Sequence, residues 1–452
     1  MEKKQALFNF IERVFYLLAG VQILLGLVWV IGNIAVLPNL EESRLYLQIS
    51  RDLVMDEYVG FLYPVLLKVL GFLGDKFCVV LYLLQIGAAF ISYDLFIDWV
   101  WGRNHGLSKC KRHILAAYVV TFPVILQVHM CVLPYSFASS VWLLLLAQLK
   151  VLLEQTGKLS VKSVAGVGIS WGIGALFLPE YGLMMSFPLV IGFVICGWKK
   201  RNRWGVLLMT AFIAVGCVGS ALTLTQTPGS LGRIQKSVGA TMLSRFAWPY
   251  LERNSFFWSN EVKAVFTEED LRSLSLYPER VWHEFGPTLE KAVGKEKANE
   301  LYWEMAVDSL MVGTKDAFTA VGRDMLQNIS GPIGIQLQWQ GKGVSYSGWN
   351  YARMAEQTPE LTKYYTRFAS YSFDFMMIMA VVVWWLQRKK ENSTKQRGWH
   401  VLVALSFVAV TVWYTMNGNG MQDYMKVLPN NILWCMLPVW SFVLCLKDSK
   451  IE

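Results

Sequence analysis

Charge is scarce in this 452-residue chain: Asp, Glu, Lys and Arg supply 17% of it, against about a quarter in soluble domains. That shortage excludes an ordinary soluble protein, whose surface must be hydrated. Histidine is rarer still. The five, at 105, 113, 129, 283 and 400, never stand at metal-ligand spacing from a second His or a Cys, which speaks against a zinc enzyme. Of seven cysteines, six (78, 131, 196, 217, 435 and 445) fall in or beside apolar runs and Cys110 in a basic loop, so no disulfide framework is expected. Walker A, GxGxxG and GxSxG sequences are all missing, so direct use of nucleotide energy and a serine-hydrolase elbow are not expected either. The apolar runs hold few ionisable residues, which argues against a proton or ion pathway; Asp94, Asp98 and Asp374 are expected near run ends, capping or reaching the interface. No internal repeat is visible.

Apolar residues are abundant, at 54% with a mean hydropathy of +0.37. They cluster in blocks of roughly 18 to 24, the length that crosses ~30 Å of hydrocarbon at ~1.5 Å per helical residue. The expected fold is an all-α polytopic membrane protein of about ten transmembrane helices. The spans are placed near 14–37, 77–99, 114–133, 136–153, 163–178, 182–197, 204–226, 367–386, 399–417 and 429–446. The apolar segment 60–74, with Tyr63-Pro64, is too short to cross and reads as re-entrant or interfacial. Nineteen Trp and nineteen Tyr suit interfacial belts.

The formal charge of +9 is explained by topology. With a cytoplasmic N-terminus, half of the 42 basic residues fall in short inner loops, at 103–112, 150–162, 199–203, 388–397 and both ends. Both termini are then cytoplasmic, and the basic excess requires no nucleic acid. Met1-Glu2-Lys3-Lys4 ahead of a long span without a small-residue cleavage pattern reads as a retained first helix. The chain divides into an N-terminal transmembrane module, 1–226, with an external loop at 38–76; an external, mostly helical segment, 227–366; and C-terminal transmembrane helices, 367–452.

In the first external loop, 42–55 reads as an amphipathic surface helix with Leu45, Ile49 and Leu53 on one face. In the second, Thr267-Glu268-Glu269-Asp270 is a capping-box-like start, and Gly294 precedes a run from Lys295 to Met311. Thr314 is expected to cap a further helix ending near Gly331-Pro332, followed by a loop to Trp349. Trp248, Phe256, Phe257, Trp258, Trp282 and Trp303 suggest an aromatic-rich surface. The sequon Asn328-Ile329-Ser330 matters only in a eukaryotic glycosylation system.

The most informative string runs from Glu41-Glu42-Ser43-Arg44-Leu45-Tyr46 through Arg51-Asp52 to Tyr63-Pro64-Val65-Leu66-Leu67-Lys68. A carboxylate just outside the first span, a Tyr four residues later, a surface helix and then an aromatic-Pro segment with a Lys resembles the GT-C glycosyltransferases. These include the protein O-mannosyltransferases and the lipid A aminoarabinose transferases. Counted back from Arg51 and Tyr46, Glu42 falls on the first acid of the family's Asp-Glu pair and Ser43 on the second. Residues 63–68 resemble its His-Pro-Pro-Leu-Gly-Lys, and Gln422 to Pro429 its Arg-Tyr-x-x-Pro entry to a late span. The resemblance is motif-specific over about 30 residues of the first loop. It departs where relatives carry an Asp between the third and fourth spans, here Val132-Leu133-Pro134-Tyr135. It departs again where they carry Arg-Pro before the sixth, here Leu178-Pro179-Glu180.

The resemblance implies an inverting transfer of sugar from a polyprenyl-phosphate donor to a glycan, lipid or protein acceptor at the outer face of a bacterial plasma membrane. Glu42 would be the base, with Glu41 as its substitute, because the acceptor hydroxyl must lose a proton. Arg44, Arg51 and Lys68 would hold the donor phosphate. Glu180 stands as a second acid, and Tyr46, Tyr63, His129 and Tyr135 as the substrate groove. No cofactor is implied with certainty: a divalent cation is compatible with the chemistry, but no ligand cluster supports one. The alternative readings are a lipid-linked sugar transporter, a non-catalytic scaffold on the same fold, and a polysaccharide polymerase. Structural roles would also suit these residues: Glu41 and Glu42 a helix N-terminus, Arg44 and Arg51 lipid headgroups, and Glu180 and Asp423 solvated span ends.

Overall fold

A computed structural model describes residues 2–34, 41–53, 60–102, 107–154, 161–200, 237–247, 258–275, 281–340, 359–387, 394–417 and 426–448. Among them every regular element is helical. In chain order the first elements are α1 (Glu2–Asn33), α2 (Glu41–Asp52), α3 (Leu62–Leu70), α4 (Phe77–Ile97), α5 (Lys109–Val120), α6 (Pro123–His129), α7 (Tyr135–Glu154), α8 (Val161–Phe177) and α9 (Pro179–Lys200). The remaining elements are α10 (Val238–Met242), α11 (Asn260–Val265), α12 (Glu268–Ser275), α13 (Gly286–Val293), α14 (Lys295–Gln340), α15 (Pro359–Gln387), α16 (Thr394–Asn417) and α17 (Leu428–Asp448).

Three helical stretches are long and apolar enough to cross a membrane: Asn9–Asn33, Phe77–Val100 and Tyr135–Leu152. The pair α5 and α6, bent by 80°, makes a fourth if it forms one broken span. The helices α8, α9, α15, α16 and α17 coincide with further expected spans, while the span at 204–226 lies outside the described residues. The bend has a local cause. Pro123 opens α6 where its missing N–H costs nothing, and it forces Phe122 into an extended conformation (φ −68°, ψ 128°) that ends α5.

The bundle is joined by polar ties within an apolar core. Trp29 Nε1 donates to Thr362 Oγ1 at 3.1 Å, and Gln22 Nε2 to the Tyr118 carbonyl at 2.9 Å. Trp142 Nε1 donates to Ser406 Oγ at 3.2 Å, and Asn430 Nδ2 to Thr411 Oγ1 at 2.9 Å. At the basic end, Arg112 bridges Asp94 and Asp98, each at 2.7 Å, and His113 Nδ1 stands 2.9 Å from Asp94. Asp94 and Asp98 therefore clamp α5 to α4 instead of merely reaching an interface.

The long segment carries a second core, with Leu243, Val262, Phe266, Phe285, Leu301 and Met305 buried together and the Phe266 and Phe285 rings stacked at 4.6 Å. Trp258 belongs to this core and is 3% exposed, so it is not part of an aromatic surface; Trp303 is exposed. The others in that group fall outside the described side chains. Gly294 ends α13 at φ 85°, a conformation that suits Gly. The expected break at Thr314 is absent. The helix α14 runs unbroken for 46 residues, and within it the Thr314 hydroxyl turns back to donate to the Leu310 carbonyl, so it caps nothing. Its later half reaches the bundle: Asn328 Nδ2 donates to Thr415 Oγ1 at 2.9 Å, and the Ile329 carbonyl accepts from Trp434 Nε1 at 2.5 Å.

The capping box at 267–270 forms as expected. Asp270 N donates to Thr267 Oγ1 at 3.2 Å, and Thr267 N donates to Asp270 Oδ2 at 2.9 Å. Donation from the Thr267 hydroxyl and backbone N–H holds the Asp270 carboxyl below its usual range. A depressed carboxyl contributes stability above its unfolded pKa and loses it as pH falls through the folded one. Acidification below about pH 4 should therefore weaken α12 in the wild type. Hydrogen exchange of 268–275 should lose that acid-dependent step in Asp270→Asn.

Candidate functional site

The segment that carries α2 and α3 is fixed to the bundle by aromatic rings. Tyr46 of α2 meets Tyr63 of α3 edge-on at 5.5 Å, and both are buried. The buried face of α2 is Ser43, Tyr46, Ile49 and Ser50. Leu53, expected on that face, instead leaves the helix at φ 52° and is exposed, and the Leu45 side chain is not described. The approach to α3 is equally tight. A Cβ on Gly60 would stand 2.3 Å from the Leu176 carbonyl oxygen and 2.4 Å from that of Phe177, both rigid backbone at the end of α8. Gly60→Ala must displace the loop, so it should lower thermal stability and expose Tyr63 to quenching while leaving helix content nearly unchanged.

Below Tyr63 lies a continuous buried polar layer. Its hydroxyl donates to Gln85 Oε1 at 3.1 Å, and Gln85 Nε2 donates to the carbonyls of His129 at 2.7 Å and Cys131 at 2.9 Å. These carbonyls belong to the turn after α6, which has no helical neighbour to satisfy them. His129 Nε2 stands 3.1 Å from the Tyr93 hydroxyl, and Nδ1 2.8 Å from Ser136 Oγ. One amide and one imidazole thus pin the break between α6 and α7.

The layer continues through Tyr135, next to Ser136, whose ring lies 6.4 Å from that of Tyr181. Tyr181 donates to the Lys426 carbonyl at 2.9 Å, and its hydroxyl lies 3.4 Å from Ser139 Oγ. Beside it Glu180, in the first turn of α9, accepts from the Tyr414 hydroxyl at 3.1 Å. Glu180 is 7% exposed, so it is buried where a solvated span end was expected. A shallow apolar recess lined by Trp142, Trp171, Gly174 and Met185 adjoins Tyr181.

The sequence-derived residues fall into three groups. Tyr46, Tyr63, His129 and Tyr135 lie along this one layer, all buried, with Tyr63 and His129 at 0% exposure, and Glu180 stands at its far side. Arg51 and Lys68 are brought together at an exposed edge, where Lys68 Nζ donates to the Arg51 carbonyl at 3.4 Å. Glu41, Glu42 and Arg44 head α2, but their side chains lie outside the described residues. Sequence reasoning passed over Gln85, Tyr93, Ser136, Tyr181 and Tyr414. Gln85 carried a signal, as a lone amide inside an apolar run. Among the described residues no group of three His, Cys, Asp or Glu side chains is placed to hold a metal ion.

No family model matches the chain, and no curated protein matches it.

Proposed function

We propose that the chain is a polytopic membrane protein of about ten spans acting as an inverting GT-C-type glycosyltransferase at the outer face of a bacterial plasma membrane. The observation that carries this reading is the seating of α2. Tyr46 and Tyr63 lock the helix headed by Glu41 and Glu42 over the Gln85–His129 layer, as a reaction requiring a fixed carboxylate needs. The first-loop motif adds the resemblance.

In this mechanism Glu42, or Glu41 in its place, takes the proton of the acceptor hydroxyl. The acceptor oxygen bonds to the anomeric carbon as the sugar–phosphate C–O bond breaks on the opposite face. The electron pair leaves with the polyprenyl phosphate. Arg44, Arg51 and Lys68 stabilise that leaving charge, and Glu180 serves as a second acid. The carrier's tail stays in lipid, which accounts for a membrane location.

The assay offers radiolabelled polyprenyl-phosphate sugars to membranes holding the chain and follows label leaving the lipid. Transfer that persists unchanged in the Glu41→Gln, Glu42→Gln double variant eliminates the base. A second reading, a lipid-linked sugar transporter or non-catalytic scaffold on the same fold, is favoured by the burial of Tyr46, Tyr63, His129 and Tyr135. Movement of labelled lipid across liposomes without acceptor would distinguish the transporter.

A further inference from the structure

Ser43 is the third residue of α2 and lies on its buried face with Tyr46, Ile49 and Ser50. It is 1% exposed, and its Oγ is shielded from solvent with no hydrogen-bond partner among the described residues. The cause is local. Ser50, two turns on, donates to the Leu47 carbonyl at 2.7 Å, the usual recourse of a helical serine. Ser43 stands too near the start of α2 to have a turn of the helix behind it. On the facing helix α3, the Tyr63 hydroxyl is already committed to Gln85 Oε1.

A buried hydroxyl without a partner costs stability that a ligand can restore, because binding then adds a hydrogen bond without breaking one. Serine donates and accepts through one rotatable group, so it matches another hydroxyl, which does the same. Charge points to a neutral ligand as well. Glu41 and Glu42 share the first turn of α2 with Ser43, and two acidic residues oppose a phosphate there.

We propose that Ser43 binds a ring hydroxyl of the sugar on the lipid-linked donor, beside the acid that takes the acceptor's proton. The proposal rests on the transferase reading and names the part of the donor that the underside of α2 recognises. Every such donor carries ring hydroxyls, whatever its acceptor. Ser43 follows Glu42 directly, about 100° round the helix, so a ring held for attack near one is in reach of the other. Access requires only the first turn of α2 to open. Ser43 precedes Tyr46 by ~4.5 Å along the axis, and the Tyr46–Tyr63 contact still holds the middle of the helix.

The test measures binding of radiolabelled polyprenyl-phosphate hexoses and pentoses, and of bare polyprenyl phosphate, to the full chain in nanodiscs. Ser43→Ala should bind the preferred sugar-bearing lipid about tenfold more weakly and bare polyprenyl phosphate unchanged. Among ring-deoxy analogues of that lipid, one should bind the wild type about as weakly as it binds Ser43→Ala. Melting of the ligand-free chain should be unchanged or raised in Ser43→Ala, since no internal hydrogen bond is lost. Equal weakening for the sugar-bearing and bare lipids, unchanged binding of both, or a lowered ligand-free melting temperature overturns the proposal. A wild type that binds none of these lipids removes the transferase reading itself, a failure distinct from tight binding indifferent to Ser43.

Discussion

Glu42→Gln, in a chain that still inserts and folds, should lower sugar release from a polyprenyl-phosphate donor by about 10²–10⁴-fold, the usual worth of a positioned base. Glutamine keeps the size and the hydrogen-bonding oxygen but cannot take the proton, so donor binding should change little. Glu41→Gln alone should have a smaller effect. If Glu41 substitutes for its neighbour, the double variant should fall further than Glu42→Gln. Arg51→Ala and Lys68→Ala should act differently, weakening donor binding by about tenfold each, because in the proposed mechanism they meet phosphate in the ground state and in flight. Loss of rate with unchanged binding for the acid, and loss of binding for the bases, is the pattern to seek in initial rates against donor concentration.

Gln85→Leu should be the most damaging single change in the described part of the bundle. It leaves the His129 and Cys131 carbonyls and the Tyr63 hydroxyl without the partner each now has. Each buried orphan costs about 1–3 kcal/mol, less where neighbours re-pair in the membrane, so a total near 3 kcal/mol is expected. Thermal unfolding in detergent would read it directly. Gln85→Glu restores acceptors but not the two donations, and should rescue little. Tyr63→Phe, which removes only one hydroxyl from the layer, should cost about 1 kcal/mol. The ordering Gln85→Leu, then Tyr63→Phe, then wild type separates a load-sharing network from a set of incidental contacts.

Much of the architecture was readable from residue order because two simple signals dominate. Apolar run length places α1, α4, α7 and α17 close to where they occur, and Thr267 with Asp270 marks the start of α12 through a bond pattern local to four residues. The failures are tertiary. Nothing adjacent to Thr314 says that its hydroxyl will turn back into α14, so the sequence suggests a cap where the helix continues. Nothing adjacent to Glu180 says that Tyr414, far along the chain, will cover it. Leu53 fits the apolar period of α2, yet it falls one residue beyond Asp52, where the chain has already turned to positive φ.

The candidate site was legible in part for the same reason. Tyr46, Tyr63 and His129 attract notice by chemical type, and they do fall along one layer. Gln85, which links Tyr63 to the turn after His129, is visible only as a polar residue in an apolar run, and such a residue has no pattern to name its partners. The exposed pairing of Lys68 with the end of α2 depends on how α3 packs against α2, which no local rule predicts.

In the proposed mechanism lipid-borne phosphate reaches the underside of the loop headed by Glu41 and Glu42. A polyprenyl phosphate bearing a photoactivatable group next to its phosphate, crosslinked in membranes and mapped by peptide mass, tests it most directly. Labelling concentrated in 41–70 and suppressed by excess natural carrier is the predicted result. Labelling spread over the outer faces of α1 and α15, indifferent to competitor and sparing 41–70, would contradict it.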